Sequence, residues 1–231
     1  MEPGVFRPGN NAVHVITIER KVLEKNDTIA AQNRRRFAEA RLFVINVVSS
    51  PGAGKTSLLE QTIERLKGRL RLSVVEGDVQ TDLDAQRVAR YGAPVVQIVT
   101  NGGCHLEAKL VQDALDQLDL AQTDLLVIEN VGNLVCPANY DLGEAMKVVL
   151  LSTTEGDDKP LKYPSMFRNA SVLVVNKIDL LPYLPCKIDA LVANARAINP
   201  GLRVFQVSCT TGAGLDDWCT WLAAQAAAAR A

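Results

Sequence analysis

The sequence predicts an α/β fold, a helix–sheet–helix sandwich with a mostly parallel sheet and a helical arm at the N-terminus. Three observations support this. Short apolar runs alternate with segments of helical period along most of the chain, several runs are apolar without a break, and a Gly-rich loop joins the first run to the helix after it. Unbroken apolar strands are typical of a parallel sheet that helices cover on both faces.

The first 40 residues form the predicted arm, and residues 41–231 form the predicted α/β domain. Residues 1–12 carry Pro, Gly and Asn, so we expect them to be loose. From about Glu19 to Ala40 the period is helical, and the run Arg34–Arg36 is expected to be a solvated helix face rather than a polyanion site. The apolar stripe expected to face the domain consists of Val22, Leu23, Ile29, Ala30 and Phe37.

After the arm, strands and helices alternate. The predicted strands are Leu42–Val48, Leu72–Val75, Pro94–Val99, Leu125–Val131, Lys147–Ser152, Ser171–Asn176 and Val204–Val207. The predicted helices are Thr56–Arg65, Leu106–Leu118, Ile188–Ala197 and Leu215–Ala229. This alternation is what a three-layer sandwich requires.

Composition limits the classes of function. The net charge of −1 predicts no general attraction to nucleic acid or to an anionic membrane. No apolar run reaches the ~18–20 residues that span a bilayer, and the N-terminus has no secretory pattern. Five scattered cysteines argue against a disulfide framework. We therefore expect a cytoplasmic protein with reduced thiols.

The Gly-rich loop predicts a phosphate-binding site. Ser49–Thr56 reads Ser-Ser-Pro-Gly-Ala-Gly-Lys-Thr and lies between a strand and a helix. In that setting backbone N–H groups face the phosphates, Lys55 adds a positive charge, and the Thr56 hydroxyl binds Mg²⁺. Ser49 replaces the usual first Gly, and the alternative is a plain Gly-rich turn. The predicted phosphate-binding residues are Gly52, Ala53, Gly54, Lys55, Thr56 and Ser57.

A second motif, Asn176-Lys177-Ile178-Asp179, predicts recognition of guanine. The Asp179 carboxylate would accept two hydrogen bonds from guanine, whereas adenine has no donors at that edge and would leave the carboxylate unpaired. Asn176 would brace the loop and Lys177 would lie along the base. Ser208 and Cys209 follow the last strand, where GTPases present a further base-contacting loop, although Ser at such a position also caps helices.

Two acidic residues are candidates to bind Mg²⁺ together with Thr56. Glu129 ends one strand in Glu-Asn-Val-Gly and Asp78 ends another in Glu-Gly-Asp. Mg²⁺ takes one or two carboxylates besides phosphates and water. Asp78 could instead cap a helix or turn. Lys55, Thr56, Asp78 and Glu129 are thus the predicted catalytic set, and Asn133, where small GTPases carry a water-orienting Gln, predicts slow hydrolysis.

Cys104, His105 and Cys136 form a candidate metal site. Thiolate and imidazole suit Zn²⁺, Ni²⁺ or Cu rather than Mg²⁺. Cys104 is expected at a helix start, where a thiol deprotonates more easily. The alternative is a buried Cys beside a surface His. One chain offers three ligands, so a closed site would need a second copy.

Taken together, the stretches Ser49–Thr56, Gly77–Gln86, Gly103–Glu107, Ile128–Pro137, Thr154–Pro164 and Asn176–Leu184 resemble the hydrogenase nickel-incorporation GTPases, the HypB family. The resemblance implies a GTP-dependent homodimer that binds metal between its G domains and helps to deliver nickel to a hydrogenase large-subunit precursor, with other maturation proteins. It also implies that Cys104, His105 and Cys136 bind Ni²⁺ or Zn²⁺. The residues that it implies for GTP, GDP and Mg²⁺ are Lys55, Thr56, Asp78, Glu129, Asn176 and Asp179.

Some features depart from part of that family or leave alternatives open. Neither a Cys-rich nor a His-rich run precedes Val13, so a separate nickel store there is not expected, and His14 is not expected to bind metal. A urease-accessory GTPase would carry a Cys-Pro-His triplet, which this sequence lacks. If the protein were a small-molecule kinase, the motif Asn176–Asp179 would have no explanation. If it were a passive metal buffer, the nucleotide motifs would have no function. The other cysteines are expected to be structural, namely Cys186, Cys209 and Cys219.

Overall fold

The computed structural model describes residues 18–80 and 83–231. Seven parallel strands form one sheet, in the order β3-β2-β4-β1-β5-β6-β7. They are β1 (Phe43–Ser49), β2 (Leu72–Asp78), β3 (Val95–Val99), β4 (Leu125–Glu129), β5 (Met146–Ser152), β6 (Val172–Asn176) and β7 (Arg203–Gln206). The α/β prediction is confirmed. The expectations for residues 1–12 and His14 lie outside the described residues.

Eight α-helices are found in the described part of the chain: α1 (Ile18–Glu39), α2 (Lys55–Leu66), α3 (Leu83–Ala89), α4 (Ala108–Leu115), α5 (Lys159–Lys162), α6 (Pro164–Asn169), α7 (Ile188–Ile198) and α8 (Leu215–Arg230). Single 3₁₀ turns span Leu120–Gln122, Cys136–Ala138 and Thr153–Glu155, and a longer 3₁₀ segment spans Ile178–Tyr183. The sequence analysis missed α3, α5 and α6 because helices of four to seven residues are too short to show an apolar period.

Helices cover both faces of the sheet, which explains the unbroken apolar strands. On one face α2 and α8 pack over β1, where the Trp218 indole donates a hydrogen bond to the Thr62 hydroxyl at 3.0 Å. On the other face there are two apolar clusters, one beneath α1 and α4 around Phe37 and Leu126, the other beneath α6 and α7 around Phe167. None of the described helices is long and apolar enough to cross a membrane.

The face that α1 buries agrees only in part with the predicted stripe, because Ala30 and Phe37 are buried and Leu23 and Ile29 are half-buried. The buried positions are Asn26, Ala30, Asn33 and Phe37, which follow a helical spacing, whereas Val22 is exposed. Two buried asparagines, Asn26 and Asn33, therefore belong to this face although the predicted stripe did not include them. A hydropathy pattern does not reveal these two asparagines, because the sequence alone does not distinguish a buried, hydrogen-bonded amide from an exposed one.

The two asparagines dock the arm through backbone groups of the domain. The Asn33 amide donates to the carbonyls of Ala108 and Leu142, at 2.9 and 3.1 Å. The Asn26 amide donates to the Asp141 carbonyl, and its oxygen accepts from the Ala108 N–H, both at 2.8 Å. The arm thus satisfies the first N–H group of α4, which no bond inside that helix could satisfy.

An ion pair at the far end of the strands gives a first testable prediction. The Asp124 carboxylate is buried and accepts three hydrogen bonds from the Arg71 guanidinium, at 2.6 Å in the closest case, and also pairs with Arg230. The bond from Arg71 holds the pKa of Asp124 below its ordinary value. The pair therefore stabilises the fold above the unfolded pKa of about 3.9, and this contribution is lost as the pH falls through the folded pKa.

We expect Asp124→Asn to lower the free energy of unfolding by about 1–3 kcal/mol at pH 7, because a buried partner of a charged group is lost. The difference from the unsubstituted protein should shrink as the pH falls below about 4, where the carboxyl group protonates in the unfolded chain. Urea unfolding at pH 7 and at pH 3 measures both values. An equal difference at the two pH values would contradict the assignment.

Candidate nucleotide and metal sites

The Gly-rich loop lies between the carboxyl end of β1 and the first turn of α2. Gly52 and Gly54 have φ values of +75° and +102°, a region that favours glycine. At Gly54 a Cβ atom would also lie 2.5 Å from the Asn176 amide nitrogen. The loop therefore needs glycine both for its own backbone and for contact with the strand end at Asn176. Unpaired N–H groups at the start of α2 make this place suitable for an anion.

A cleft of about 510 Å³ opens in front of the loop. The predicted site residues that line it are Gly52, Gly54, Lys55, Thr56, Ser57, Asp78, Glu129 and Lys177. Two further lining residues, Asp84 and Arg87, were not predicted because their helix α3 was not recognised. Arg87 is held by Glu60 at 2.9 Å and by Asp84 at 3.1 Å, so its charge is already paired.

Glu129 lies at the floor of the cleft, within reach of the two key side chains of the loop. Its carboxylate accepts a hydrogen bond from the Thr56 hydroxyl at 3.1 Å and lies 3.9 Å from the Lys55 ammonium. Its second oxygen is buried without a hydrogen-bond partner among the described residues. Asp78 lines the same cleft, and one of its oxygens accepts from the Gln80 N–H at 2.9 Å, a turn-capping bond. These oxygens suit a hard cation such as Mg²⁺.

Glu76 is a buried acid beside Glu129 that the sequence analysis missed. The two residues are direct neighbours in the register of β2 and β4. Burial, and then the charge of Glu129, raises the pKa of Glu76 to about 11, so it is neutral at pH 7. Burial also raises the pKa of Glu129, but Lys55 opposes that rise. An acidic residue directly after the apolar run Leu72–Val75 was the signal that could have revealed it.

The base-recognition motif is tied to the phosphate loop. The Asn176 amide donates to the Ala53 carbonyl at 3.1 Å, and its oxygen accepts from the Lys177 and Cys209 N–H groups. The Lys177 ammonium donates to the Gly52 carbonyl at 2.8 Å. The Asn176 side chain therefore joins the phosphate loop to the loop that carries Cys209.

Asp179, Ser208 and Cys209 lie beside the phosphate cleft, on the segments that follow β6 and β7. The Ser208 hydroxyl donates to the Asp179 carboxylate at 2.5 Å, which orients that carboxylate. The thiol of Cys209 is half-buried, and burial raises its pKa to about 11. Burial does the same for Cys219, so both remain neutral thiols at pH 7.

Cys104, His105 and Cys136 come together although Cys136 is 32 residues from Cys104 in the chain. The two sulfur atoms are 2.7 Å apart, and the Cys104 sulfur lies 3.6 Å from Nδ1 of His105. One ligand atom from each residue lies within 4.8 Å of the others. Both thiols are free, and Cys104 is exposed at the surface.

One expectation about this cluster is wrong. Cys104 does not start a helix, because α4 begins only at Ala108. Its pKa is raised, first by the hydrogen bond with Cys136 and then by burial, rather than lowered. A metal ion must therefore displace a proton from the thiol pair when it binds.

The donor set fits a borderline or soft metal ion. Two thiols and one imidazole suit Ni²⁺, Zn²⁺ or Cu and do not suit Mg²⁺. Burial lowers the pKa of His105, so its ring is neutral as a ligand must be. Nδ1 faces the sulfur atoms, Nε2 lies 3.9 Å from the Glu107 carboxylate, and the Tyr140 ring packs against the imidazole with centroids 3.9 Å apart.

A short connection joins the two sites. Glu129 on the floor of the phosphate cleft and Cys136 in the metal cluster are the ends of one eight-residue segment. Along this segment Gly132 packs so closely against the phosphate loop that a Cβ atom there would lie 3.2 Å from Pro51. The Asn133 amide donates to the Cys104 carbonyl at 3.1 Å. Asn133 therefore braces the metal cluster, at the position where small GTPases carry a Gln.

Comparisons with known proteins identify relatives of this chain. A family model described as "CobW/HypB/UreG, nucleotide-binding domain" matches residues 43–206. The chain is 54% identical over 218 residues to the "Hydrogenase maturation factor HypB" of Azotobacter vinelandii, covering 94% of this chain and 72% of that protein.

Two solved structures are similar over most of their length. One is the crystal structure of HypB from Helicobacter pylori in complex with nickel, with a TM-score of 0.84 and 39% identity, covering 88% of this chain and 96% of that one. The other is the crystal structure of the hydrogenase maturation factor HypB from Archaeoglobus fulgidus. It has a TM-score of 0.82 and 36% identity, and the match covers 88% of this chain and 99% of that one.

Proposed function

The chain belongs to the CobW/HypB/UreG nucleotide-binding family, and on that premise we propose that it is a GTP-hydrolysing metallochaperone that binds nickel or zinc and assists nickel insertion into a hydrogenase. The observation that carries the proposal is the joining of two sites. A phosphate cleft and a thiol–imidazole cluster are connected by the segment Glu129–Cys136. The names of the similar proteins, hydrogenase maturation factors and a nickel complex, support the choice of cargo.

The residues of the cleft have distinct roles in the proposed hydrolysis. N–H groups of the loop and of the α2 N-terminus hold the phosphate oxygens, and Lys55 balances the charge on the terminal phosphate. Thr56, Asp78 and Glu129 supply the oxygen atoms that would hold Mg²⁺. When bound, Mg²⁺ neutralises negative charge on the β- and γ-phosphates. The unpartnered oxygen of Glu129 gives such an ion a buried acceptor.

Turnover is proposed to be slow. The amide of Asn133 is engaged with the Cys104 carbonyl, and the Arg87 guanidinium in the cleft is held by two carboxylates. Neither is therefore free to orient water or to act as an arginine finger. Switch GTPases without such groups hydrolyse GTP slowly until a partner supplies them. A slow switch suits controlled release of a metal ion better than it suits a metabolic enzyme.

The metal cluster is proposed to be completed in a GTP-dependent homodimer. Among the residues that the structure describes, one chain offers three ligands in the cluster, and Cys104 is exposed. Val135, next to Cys136, exposes 62% of its surface. A second copy facing this surface would cover Val135 and add ligands. We propose a hydrogenase large-subunit precursor and other maturation proteins as further partners in the cytoplasm, with no role for nucleic acid or membranes.

Metal titration of the purified chain tests the proposal. We expect Cys104→Ala and Cys136→Ala to lose Ni²⁺ binding at the cluster while GDP affinity remains unchanged, because neither thiol lines the phosphate cleft. The matched control is Cys186→Ala, which changes a half-buried thiol outside the cluster. Unchanged metal stoichiometry in both cluster variants would place the ligands elsewhere.

The same titration tests the connection between the sites. If the γ-phosphate orders the segment Glu129–Cys136, Ni²⁺ affinity should differ between the GDP form and the form with a non-hydrolysable GTP analogue. By reciprocity, Ni²⁺ should change the affinity for the analogue by the same factor. Identical affinities would favour a passive metal buffer. A preference for ATP together with phosphate transfer to a small molecule would favour a kinase.

A further inference from the structure

Four polar side chains are buried along the face of the sheet between the two metal-binding segments. They are Asn46 in β1, Asn130 just after β4, Glu144 just before β5, and Lys147 in β5. Asn46 and Lys147 are direct neighbours in the register of the two strands. Buried polar groups are costly unless they are paired, so the partners of these four reveal what the group does.

Lys147 holds the segment that carries Cys136. Its ammonium donates to the carbonyls of Pro137, Ala138 and Tyr140, at 2.9, 3.1 and 3.1 Å. An ammonium group has three N–H donors, and all three are used on one short stretch of backbone. That stretch includes the 3₁₀ turn that Cys136 begins, and it also positions the Tyr140 ring that packs on the imidazole of the cluster.

Asn130 holds the other metal-binding segment. Its side-chain oxygen accepts from the N–H of Leu106 at 3.1 Å and from its neighbour Val131 at 3.0 Å. Leu106 directly follows His105. The amide of Asn130 donates to the side-chain oxygen of Asn46 at 3.2 Å. The backbone beside His105 is therefore bonded to a side chain in the middle of the sheet.

Asn46 and Glu144 join the two ends. The Asn46 amide donates to Oε1 of Glu144 at 3.1 Å, and the same oxygen lies 4.0 Å from the Lys147 ammonium. Oε2 of Glu144 accepts from the Leu142 N–H at 2.7 Å. Hydrogen bonds thus run from Leu106 to Glu144, and the ion pair between Glu144 and Lys147 continues the network to Tyr140. Replacing a buried ion pair by apolar groups is often neutral or stabilising, so this pair is weak support for the fold alone.

We propose that Asn130, Asn46, Glu144 and Lys147 form a positioning network that sets the distance between the Cys104–His105 segment and the Cys136 segment. This inference rests on the metal function proposed above. The proposed ligands, Cys104, His105 and Cys136, lie at the surface and outside the α-helices and strands. In such segments the distance between side chains depends on the hydrogen bonds that hold the backbone. The network bonds both segments to β1 and β5, the centre of the sheet. It therefore acts on the metal through other residues and contacts no ligand atom itself.

The test uses Co²⁺ as a probe, because thiolate ligation gives it a characteristic charge-transfer absorption band. In Lys147→Met the three carbonyls lose their donor, and we expect Co²⁺ affinity to fall by about 10–100-fold, the usual effect of losing an outer-shell partner. The intensity of the thiolate band per bound Co²⁺ should decrease, because Cys136 is no longer held close to the other ligands. GDP affinity should remain unchanged, because Lys147 does not line the phosphate cleft.

A second variant and a control separate positioning from stability. The double variant Glu144→Gln/Lys147→Met removes both buried charges and is expected to fold even if Lys147→Met alone does not. It should show the same loss of Co²⁺ affinity and of the thiolate band. Asp124→Asn is the matched control, because it breaks a buried ion pair that bonds neither metal-binding segment.

Three results would overturn the network. The first is a folded double variant that keeps the affinity and the band of the unsubstituted protein. The second is an equal loss in Asp124→Asn, which would attribute the effect to general destabilisation. The third is an unsubstituted protein whose Co²⁺ spectrum lacks a thiolate band. That result would reject the metal site itself, and it is distinguishable because it needs no variant.

Discussion

Replacing Lys55 by Ala is expected to lower kcat for GTP hydrolysis by about 100- to 1,000-fold, the usual effect of removing one group that stabilises developing charge. The Lys55 ammonium lies at the phosphate loop, 3.2 Å from the Ser49 hydroxyl and 3.9 Å from the Glu129 carboxylate. Those partners hold its charge in the cleft before a nucleotide arrives. Without the Lys55 ammonium, the terminal phosphate would face the buried Glu129 carboxylate with no side-chain cation between them.

Single-turnover hydrolysis of GTP measures this effect, with GDP affinity measured in parallel. Lys67→Ala is the matched control, because Lys67 caps the other end of the same helix α2 and is exposed. Its rate should equal that of the unsubstituted protein. A Lys55→Ala rate within a factor of about three of the unsubstituted rate would show that the cleft is not where GTP is hydrolysed, since that factor is under 1 kcal/mol of barrier.

Replacing Asp179 by Asn is expected to weaken GTP binding by about 10- to 100-fold, because a buried donor on the base loses its acceptor at a cost of about 1–3 kcal/mol. The same change should raise affinity for xanthosine triphosphate, whose exocyclic carbonyl can accept from the new amide. The Ser208 hydroxyl that now donates to Asp179 keeps an acceptor in the Asn side chain. The loop is therefore expected to keep its shape.

Competition binding with GTP, xanthosine triphosphate and ATP measures this preference. Asp189→Asn is the matched control, because it makes the same change of charge on the exposed start of α7. If Asp179→Asn keeps the affinity for GTP and the discrimination against ATP, the assignment of guanine recognition to this motif is wrong. Hydrolysis could then still depend on Lys55, because the phosphate loop and the segment that carries Asp179 are separate parts of the chain.

The nucleotide motifs could be predicted because each is local. Gly52 and Gly54 need glycine for their own backbone angles, and Asn176 and Asp179 act from a single loop at the end of a strand. Strands could be recognised from their apolar runs, although β2 continues three residues beyond the predicted end at Val75. That extension carries polar and Gly residues, which an apolar pattern excludes, and for this reason Glu76 was overlooked.

Other features required the tertiary structure. The thiols of Cys104 and Cys136 meet because two loops after different strands fold toward each other, and no local period encodes that approach. The rise in the pKa of Cys104 has the same origin, since its first cause is Cys136.

Buried polar side chains were the largest group that the sequence could not reveal. Asn33 in α1 and Asn46 in β1 look like surface residues or interruptions of an apolar pattern, yet both are fully buried. Residue type and spacing alone determined the fold class and predicted the phosphate loop and the base motif, whereas the assignment of Cys104, His105 and Cys136 as metal ligands came from the family resemblance and stays a prediction. Tertiary structure alone decided which buried polar groups are paired, because a hydrogen bond depends on the position of a partner far away in the chain.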